Sequence, residues 1–422
     1  MNTPSKQNNK PRIAVVTMGV KLGDEVRGYT RFRALSELLV KQGFEVDLIT
    51  SAFQHWDKAH RDTTRACYQN LPYHIVFIDE PGYQKNLDLA RIRSHRQAAK
   101  NLRGYFESHP GRYQLIYAEI PPNDVARICA EYAQAHNIPF VADVNDLWPE
   151  AMRMVIDIPV ISDIAFYPFA RDARIVYQLL SGAVGTSEEY AKRPAKDRET
   201  PYPQAVVYVG NNLATFDAGA AACAAEIIKP DNEFWVTYAG TLGASYDLAT
   251  LIRAAALIEH DDTMLGRSTT PLALRIKILG DGPERESLEA LAQELDAPVD
   301  FLGYQDYDHM AAYLCASDAT INSLVKSAVQ SIVTKIGDYL ASSKPMINTG
   351  SSPEFRAKVA TDGFGFNVDA EDEQALAHII VELANNPSMC KIMGTKGRVI
   401  AETEFDQAHS YQKIVDLIRN LL

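Results

Sequence analysis

Several things are scarce in this 422-residue chain, and each scarcity closes off a class of function. Its five cysteines, at positions 67, 129, 223, 315 and 390, are odd in number, far apart and without a CxxC. That pattern fits reduced thiols in a cytoplasm and argues against a disulfide framework or a structural zinc. Ten histidines are scattered with no HxxxH among them, so no metal-ligand spacing stands out. Long apolar runs are absent too. The most apolar stretch, 155–170, is broken by Asp157, Pro159, Asp163 and Pro168, too short an interruption-free span to cross a bilayer. Met1 to Pro11 is polar and lacks the apolar core of a signal peptide. Positive charge is in deficit, with 42 basic against 54 acidic residues and a net charge of -12. Phosphate backbones are bound through lysine and arginine, so nucleic acid is not an expected partner. No GxGxxG follows the first strand of either half, which argues against a dinucleotide.

What is present is a long alternation of strand and helix patterns. The length suits two domains, each with its own core. Arg12 to Met18 reads as a buried strand, a glycine-bearing loop and a helix over 29–42 follow, and 44–50 is the next strand. Strands at 74–78, 114–118, 138–143, 183–186 and 205–209, with helices at 86–107, 123–136 and 170–180, continue it. Residues 1–215 are therefore expected to form one doubly wound α/β domain. Ligands of such sheets sit at the carboxyl ends of strands. The first loop, Val20 to Gly28, offers glycines for close backbone approach, and Lys21, Arg27, Arg31 and Arg33 could meet a charged substrate. The alternative is a solvated loop with a basic helix face. Asp143-Val-Asn-Asp-Leu-Trp-Pro-Glu150 gathers two aspartates, an asparagine, a tryptophan and a glutamate just after a strand. It is either part of a site or a capping turn over Trp148. Pro194 to Pro203 reads as a flexible loop.

The second half repeats the construction. Ala214 to Asp231 reads as a linker or short helix. Phe234 to Ala239 is a strand that runs into Gly240-Thr-Leu-Gly243, a turn whose free N–H groups suit an oxyanion. The next strand, 274–279, ends in Gly280-Asp-Gly-Pro283, but Glu284 and Glu286 in the following turn would repel a phosphate. Gly280 and Gly282 are therefore assigned to shaping a pocket. Strands at 299–303 and 318–322 follow, then 346–348, a strand near Gly365, helix 372–384 and a last helix from Glu404 to Leu422. The stretch Gln330 to Pro345 reads as a short helix closed by the Ser342-Ser343-Lys344-Pro345 turn. Ile332, Ile336 and Leu340 form its buried stripe, while Lys335, Asp338 and Tyr339 share a neighbouring face. With Ser331, Thr334 and Lys335 and no acid in its first turn, its start suits a phosphate, and Asp338 suits both hydroxyls of a ribose. The bland alternative is a surface helix in which Lys335 and Asp338 pair with each other.

Four stretches, in order, resemble the retaining GT-B glycosyltransferases of family 4 over nearly the whole chain. The likeness is closest to members that assemble bacterial capsule and O-antigen chains, the fucosamine-transferase-like ones. Asp143 to Glu150 is similar to their D-x-R-D-L-W-P-E, and Tyr238-Ala-Gly-Thr-Leu-Gly243 to Y-A-G-N-x-G. Gly280-Asp-Gly-Pro283 with Phe301-Leu-Gly303 resembles the G-D-G-P and F-L-G pair, and Thr334 to Ile347 resembles S-K-x-x-E-Y-x-A-x-G-K-P-V-I. Tyr208-Val-Gly-Asn-Asn212 resembles an N-G-V-D segment before the interdomain linker. The resemblance implies two Rossmann-like domains facing a cleft, 1–215 for the acceptor and 226–405 for the sugar nucleotide, with helix 406–422 returning to the first.

It further implies a UDP- or GDP-linked donor sugar and a glycan or polyprenyl-linked acceptor. No metal or other cofactor is implied, and a peripheral contact with the inner face of the cell membrane is. Asp338 would hold the ribose. Lys335, Ser331 and the turn Gly240, Thr241, Leu242 and Gly243 would hold the diphosphate, and Gly303 with Tyr304 the base edge. Gly280 and Gly282 would frame the donor. Gln330, Asn145 and Lys335 stand at the catalytic positions, and Gly28, Arg27, Arg31 and Asp146, with Glu119 to Asp124 nearby, at the acceptor side. Three departures are visible. The family's E-x7-E pair is replaced by Gln330 and Asp338, its basic pair near the glycine turn by Thr241 and Asp247, and a histidine or arginine of the first domain by Asn145. A sugar-nucleotide 2-epimerase of the same plan and a non-catalytic partner subunit are the alternatives; turnover without an acceptor would mark the first, binding without turnover the second.

Overall fold

A computed structural model describes residues 10–23, 25–26, 28–85, 88–153, 158, 160–260, 273–328 and 332–422. It divides into two units, one of Met1–Val207 with Tyr411–Leu422, the other of Tyr208–Ser410.

The first unit is built on strands β1 (Arg12–Val16), β2 (Glu45–Ser51), β5 (His74–Ile78), β6 (Leu115–Ile120), β7 (Phe140–Val144), β8 (Gly182–Gly185) and β9 (Gln204–Val206). A short hairpin of β3 (Phe53–Gln54) and β4 (Ala59–His60) stands apart. The sheet order is β5-β2-β1-β6-β7-β8-β9, all parallel, with β1 pairing β2 on one side and β6 on the other. Strands buried on both faces are near-continuous apolar runs. Here Ile13 to Val16 are at most 1% exposed. The chain leaves β1 and β6 toward opposite sides of the sheet, so their carboxyl ends mark the switch point of this unit.

The second unit repeats the plan with β10 (Glu233–Ala239), β11 (Ala273–Leu279), β12 (Val299–Gly303), β13 (Ala319–Asn322), β14 (Met346–Asn348) and β15 (Gly365–Asn367). Its parallel order is β12-β11-β10-β13-β14-β15, with the switch point between β10 and β13. Its core gathers Val236, Leu242, Leu251, Ile276, Ile321, Ile347 and Leu376.

The observed units divide at Val207 and Tyr208 instead of near 215. The alanine-rich 214–231 segment is no free linker, because Leu213–Cys223 is a helix lying against the helix Tyr307–Ala316. A Cβ on Gly219 would come 2.3 Å from Asp308 Oδ1 and 2.9 Å from its Cα, so small side chains permit the approach. A helix at Ile161–Leu179 carries Pro168 in its interior and is longer than the spacing predicts. The predicted last helix is broken into Gln407–Ser410 and Gln412–Leu421, and a helix at Pro387–Ile400 precedes it. From Tyr411 onward the chain belongs to the first unit, where Tyr411, Ile414, Val415 and Ile418 are fully buried.

Candidate functional site

Three glycines end three neighbouring strands of the second unit: Gly240 after β10, Gly280 after β11 and Gly303 in β12. All have positive φ, at 154°, 135° and 70°, which only glycine adopts freely. The turns stack backbone on backbone. A Cβ on Gly280 would lie 1.8 Å from the Gly240 carbonyl oxygen, and one on Gly282 2.2 Å from that of Leu242. The 240–243 turn is less open than its sequence suggests. Gly240 N–H donates to the Leu279 carbonyl at 2.9 Å and Leu242 N–H to that of Asp281 at 3.0 Å. The Leu242 side chain lies in the core. Thr241 and Gly243 keep amides with no partner among the described residues. The next helix, Leu248–His260, offers no anion site at its start, because Asp247 fills it by accepting from Thr250 N–H at 3.1 Å.

Lys335 comes to this turn from the other side of the switch point. The predicted helix is shorter than expected, only Ile336–Ala341, with Lys335 as its N-cap and Asp338 in its first turn. A six-residue helix with an acid in its first turn is a poor phosphate site by itself, so the lysine side chain, and not the helix end, is the anion-seeking feature. Its Nζ lies 4.0 Å from the Tyr238 ring centroid and 4.0 Å from that of Tyr246. A Cβ on Gly240 would come within 2.5 Å of it. The Nζ is withdrawn from solvent and has no hydrogen-bond partner. No ion pair joins it to Asp338 or to any other described residue. Burial pulls its pKa well below the ordinary lysine value. An unpaired buried ammonium is costly, and two aromatic faces offset only part of that cost. The arrangement is therefore ready for an anion.

Asp338 is held differently. Its Oδ1 accepts from Asn211 Nδ2 and from Tyr307 Oη, both at 2.7 Å. Its Oδ2 has no partner among the described residues. Burial raises its pKa, and the two hydrogen bonds work against that rise. Asn211 reaches it because the 211 backbone pairs with 405–407: its N–H donates to the Phe405 carbonyl at 3.0 Å, and Gln407 N–H to its own at 2.9 Å. Tyr339 is fully buried, its hydroxyl accepting from the Ala239 N–H and donating to the Ala239 carbonyl. Tyr304, 64% exposed, stands free at the exit of β12. Arg285 lies close by, its Nη1 3.3 Å from a Cβ built on Gly303. Gln330 and Ser331 lie outside the described residues, as does Arg27.

The first unit corrects the acceptor assignment. Arg31 is not at an open surface: it is 1% exposed and makes a bidentate pair with Asp143, Nε to Oδ2 at 2.8 Å and Nη2 to Oδ1 at 3.0 Å. Its Nη1 donates to the Val207 carbonyl and its guanidinium lies 5.1 Å from the Tyr411 ring. Tyr117 donates to the same Asp143 at 2.6 Å. This closed network engages both Asp143 oxygens in structural contacts. Arg33 faces Glu37 at 3.8 Å. Gly28, at φ 128°, packs on Trp56. Asn145 and Asp146 are half-buried beyond β7; Asn145 Nδ2 donates to the Asp143 carbonyl, and Asp146 Oδ2 accepts from Trp148 Nε1. Glu119, at the end of β6, accepts from Thr17 beyond β1, and burial raises its pKa to about 8. Burial likewise raises that of Asp124 to about 6.

A cluster that sequence reasoning missed stands at the same edge. His55 Nδ1 is 2.6 Å from Tyr83 Oη, and Lys58 and Arg91 lie over the Tyr83 ring at 4.8 and 5.6 Å. His95 stacks on Trp148, over which Arg91 also lies at 4.8 Å. Burial, then the neighbouring cations, lower His55 to about 4 and His95 to about 3. The residues come from separate loops and one helix, with no spacing that a sequence pattern would register.

Residues 233–386 match the family model described as Glycosyl transferases group 1. The second unit carries a glycosyltransferase group 1 domain. No curated protein sequence matches the chain. Among solved structures it is similar to a sucrose-phosphate synthase from Thermosynechococcus elongatus, at 18% identity and TM-score 0.71 over 98% of this chain and 99% of that one. It is similar to the Anabaena protein Alr3699/HepE in complex with UDP, at 15% identity and TM-score 0.68 over 97% and 100%. WaaG, a glycosyltransferase involved in lipopolysaccharide biosynthesis, has 11% identity and TM-score 0.61 over 96% and 99%. At these identities the likeness is one of fold: two Rossmann-like domains of GT-B type.

Proposed function

We propose that this chain is a retaining glycosyltransferase that moves a sugar from a nucleoside-diphosphate donor to a lipid-linked glycan, in the building of a cell-surface polysaccharide. The observation that carries the reading is Lys335, a buried, unpartnered ammonium beside a glycine turn with two unused amides. Lys335 and the amides of Thr241 and Gly243 meet the diphosphate and stabilise the charge that grows on it as the sugar departs. Asp338 takes the ribose hydroxyls through its open oxygen, with Asn211 and Tyr307 holding it in place, and Tyr304 flanks the base. A uridine base is supported by the Anabaena protein, which was solved with UDP and with UDP-glucose. Retention, family 4 and the capsule or O-antigen role rest on the sequence resemblance. So do the catalytic roles of Gln330 and Asn145.

The acceptor is assigned to the first unit, at the basic and aromatic cluster of Lys58, Arg91, Tyr83 and Trp148. A lipid-linked pyrophosphate is met by the two cations, which the aromatic faces hold in place. Peripheral membrane contact is assigned to Ile158, Val160, Ile161, Ile164 and Tyr167, which are 50–72% exposed in one short stretch. Contiguous exposed apolar side chains of this kind mark interaction surfaces. No helix among the described residues is long and apolar enough to cross a membrane.

A thermal-shift screen of UDP, GDP, ADP, CDP and dTDP tests the donor site, since a ligand of the native state raises Tm by mass action. One diphosphate should stabilise the wild type, and Asp338→Ala should lose that shift. No shift with any of the five overturns the reading.

A further inference from the structure

Cys223, Glu226 and His309 meet in the second unit, although 83 residues separate Glu226 from His309. One ligand atom from each, the Sγ, a carboxylate oxygen and an imidazole nitrogen, lie within 4.8 Å of one another. Cys223 closes the helix Leu213–Cys223, Glu226 ends the 3-10 turn Ala224–Glu226, and His309 is in the first turn of the helix Tyr307–Ala316. The tight packing of Gly219 on Asp308 keeps the two helices together.

The imidazole is aimed from behind. Its Nδ1 is 2.9 Å from both oxygens of Asp306, and its Nε2 is 3.1 Å from Glu226 Oε2. A carboxylate on one ring nitrogen is how proteins fix the other toward a metal. The Nε2 to Oε2 separation is close to the edge of a tetrahedron with bonds of about 2.0 Å to nitrogen and oxygen. A simple ion pair between His309 and its acids would account for the imidazole, but not for a thiol brought to the same point. Cys223 is 8% exposed, whereas the Glu226 carboxylate faces solvent at 65%. That asymmetry gives an entry path and leaves a fourth position for water.

We propose that Cys223, Glu226 and His309 form a site for one divalent transition-metal ion, zinc being the best fit, with Asp306 supporting His309. Thiolate, imidazole and carboxylate together favour zinc over magnesium or calcium. Binding releases the thiol proton to solvent. The metal joins the helix Leu213–Cys223 to the helix that carries Tyr307, the donor to Asp338, and so stiffens the support of that carboxylate. The site is independent of the sugar-transfer reading. It departs from the expectation of no metal, because its ligands have no recognisable spacing in sequence.

The test uses the full chain, stripped with EDTA, kept reduced, and titrated with Zn2+ by calorimetry and with Co2+ by absorption. One equivalent should bind, with a thiolate-to-cobalt charge-transfer band and the d–d bands of a tetrahedral ion. Cys223→Ser should abolish the charge-transfer band. His309→Gln and Glu226→Gln should each weaken Zn2+ by about tenfold or more, while Cys315→Ser and Cys390→Ser change nothing. Glu226→Gln, at the surface, keeps the test open should Cys223→Ser fail to fold. Substoichiometric binding, a Co2+ spectrum without the thiolate band, or a Zn2+ affinity that Glu226→Gln leaves unchanged would overturn the proposal.

Discussion

Each unit buries one long cation near its switch point, and the two are treated in opposite ways. Arg31 in the first unit is matched group for group, by both oxygens of Asp143, the Val207 carbonyl and the Tyr411 ring. Lys335 in the second has two aromatic faces and nothing to donate to. A buried charge with all its partners is an element of folding, whereas one with none costs stability that folding alone does not recover. The same fold plan, used twice, has closed one switch point and left the other waiting for a ligand. Sequence position would have ranked Arg31 and Lys335 alike, as basic residues in a strand-end segment.

The largest effect expected from this contrast is at Arg31. Arg31→Met would strand the Asp143 carboxylate at 0% exposure, destabilising the protein by about 3–5 kcal/mol. Urea unfolding should show it, and Arg31→Lys should recover only part, because an ammonium cannot make the bidentate pair. A loss below about 1 kcal/mol would mean that this network is not closed.

Next in size, Lys335→Met should do the reverse. Removing the unpaired charge should stabilise the ligand-free protein by about 1–3 kcal/mol and weaken nucleoside diphosphate binding by roughly 10- to 100-fold. The gap from wild type should be full at low pH. It should close as pH rises from the depressed folded pKa toward the unfolded value of 10.5, where the lysine is neutral in both states. A variant that binds diphosphate as well as wild type breaks the comparison.

A third effect, read from its pH dependence, sharpens it. Glu119, raised by burial from 4.5 to about 8, favours folding most below pH 4.5 and loses that contribution as pH rises to about 8. Glu119→Gln should match the wild type near pH 4 and exceed it increasingly as pH rises to 8 and above. Equal Tm values across that range would place Glu119 in a more polar setting than the first switch point otherwise provides.

Much of the architecture was legible because it is local. Runs such as Ile13 to Val16 and Phe234 to Ala239 are apolar on both faces, which only a covered parallel sheet requires, and the glycines after β10 and β11 punctuate them. The Lys335 and Asp338 spacing was legible for the same reason. Lengths were less so: the helix expected from Gln330 begins at Ile336, and helix 387–400 was not foreseen, since its stripe is diluted by Gly394 and Gly397, which the fold uses for close packing.

By itself, then, the sequence determined two doubly wound units, their glycine turns, and the placing of Lys335 and Asp338 on one short segment. The tertiary structure alone decided which side chains are available. It spent Arg31 on Asp143 and left Lys335 without a partner. It brought Tyr307 to Asp338 across 31 residues and Cys223 to His309 across two helices. The physical reason is that strand and helix formation follow from neighbouring residues, whereas the partner of a charge is set by what packing carries within about 3 Å of it.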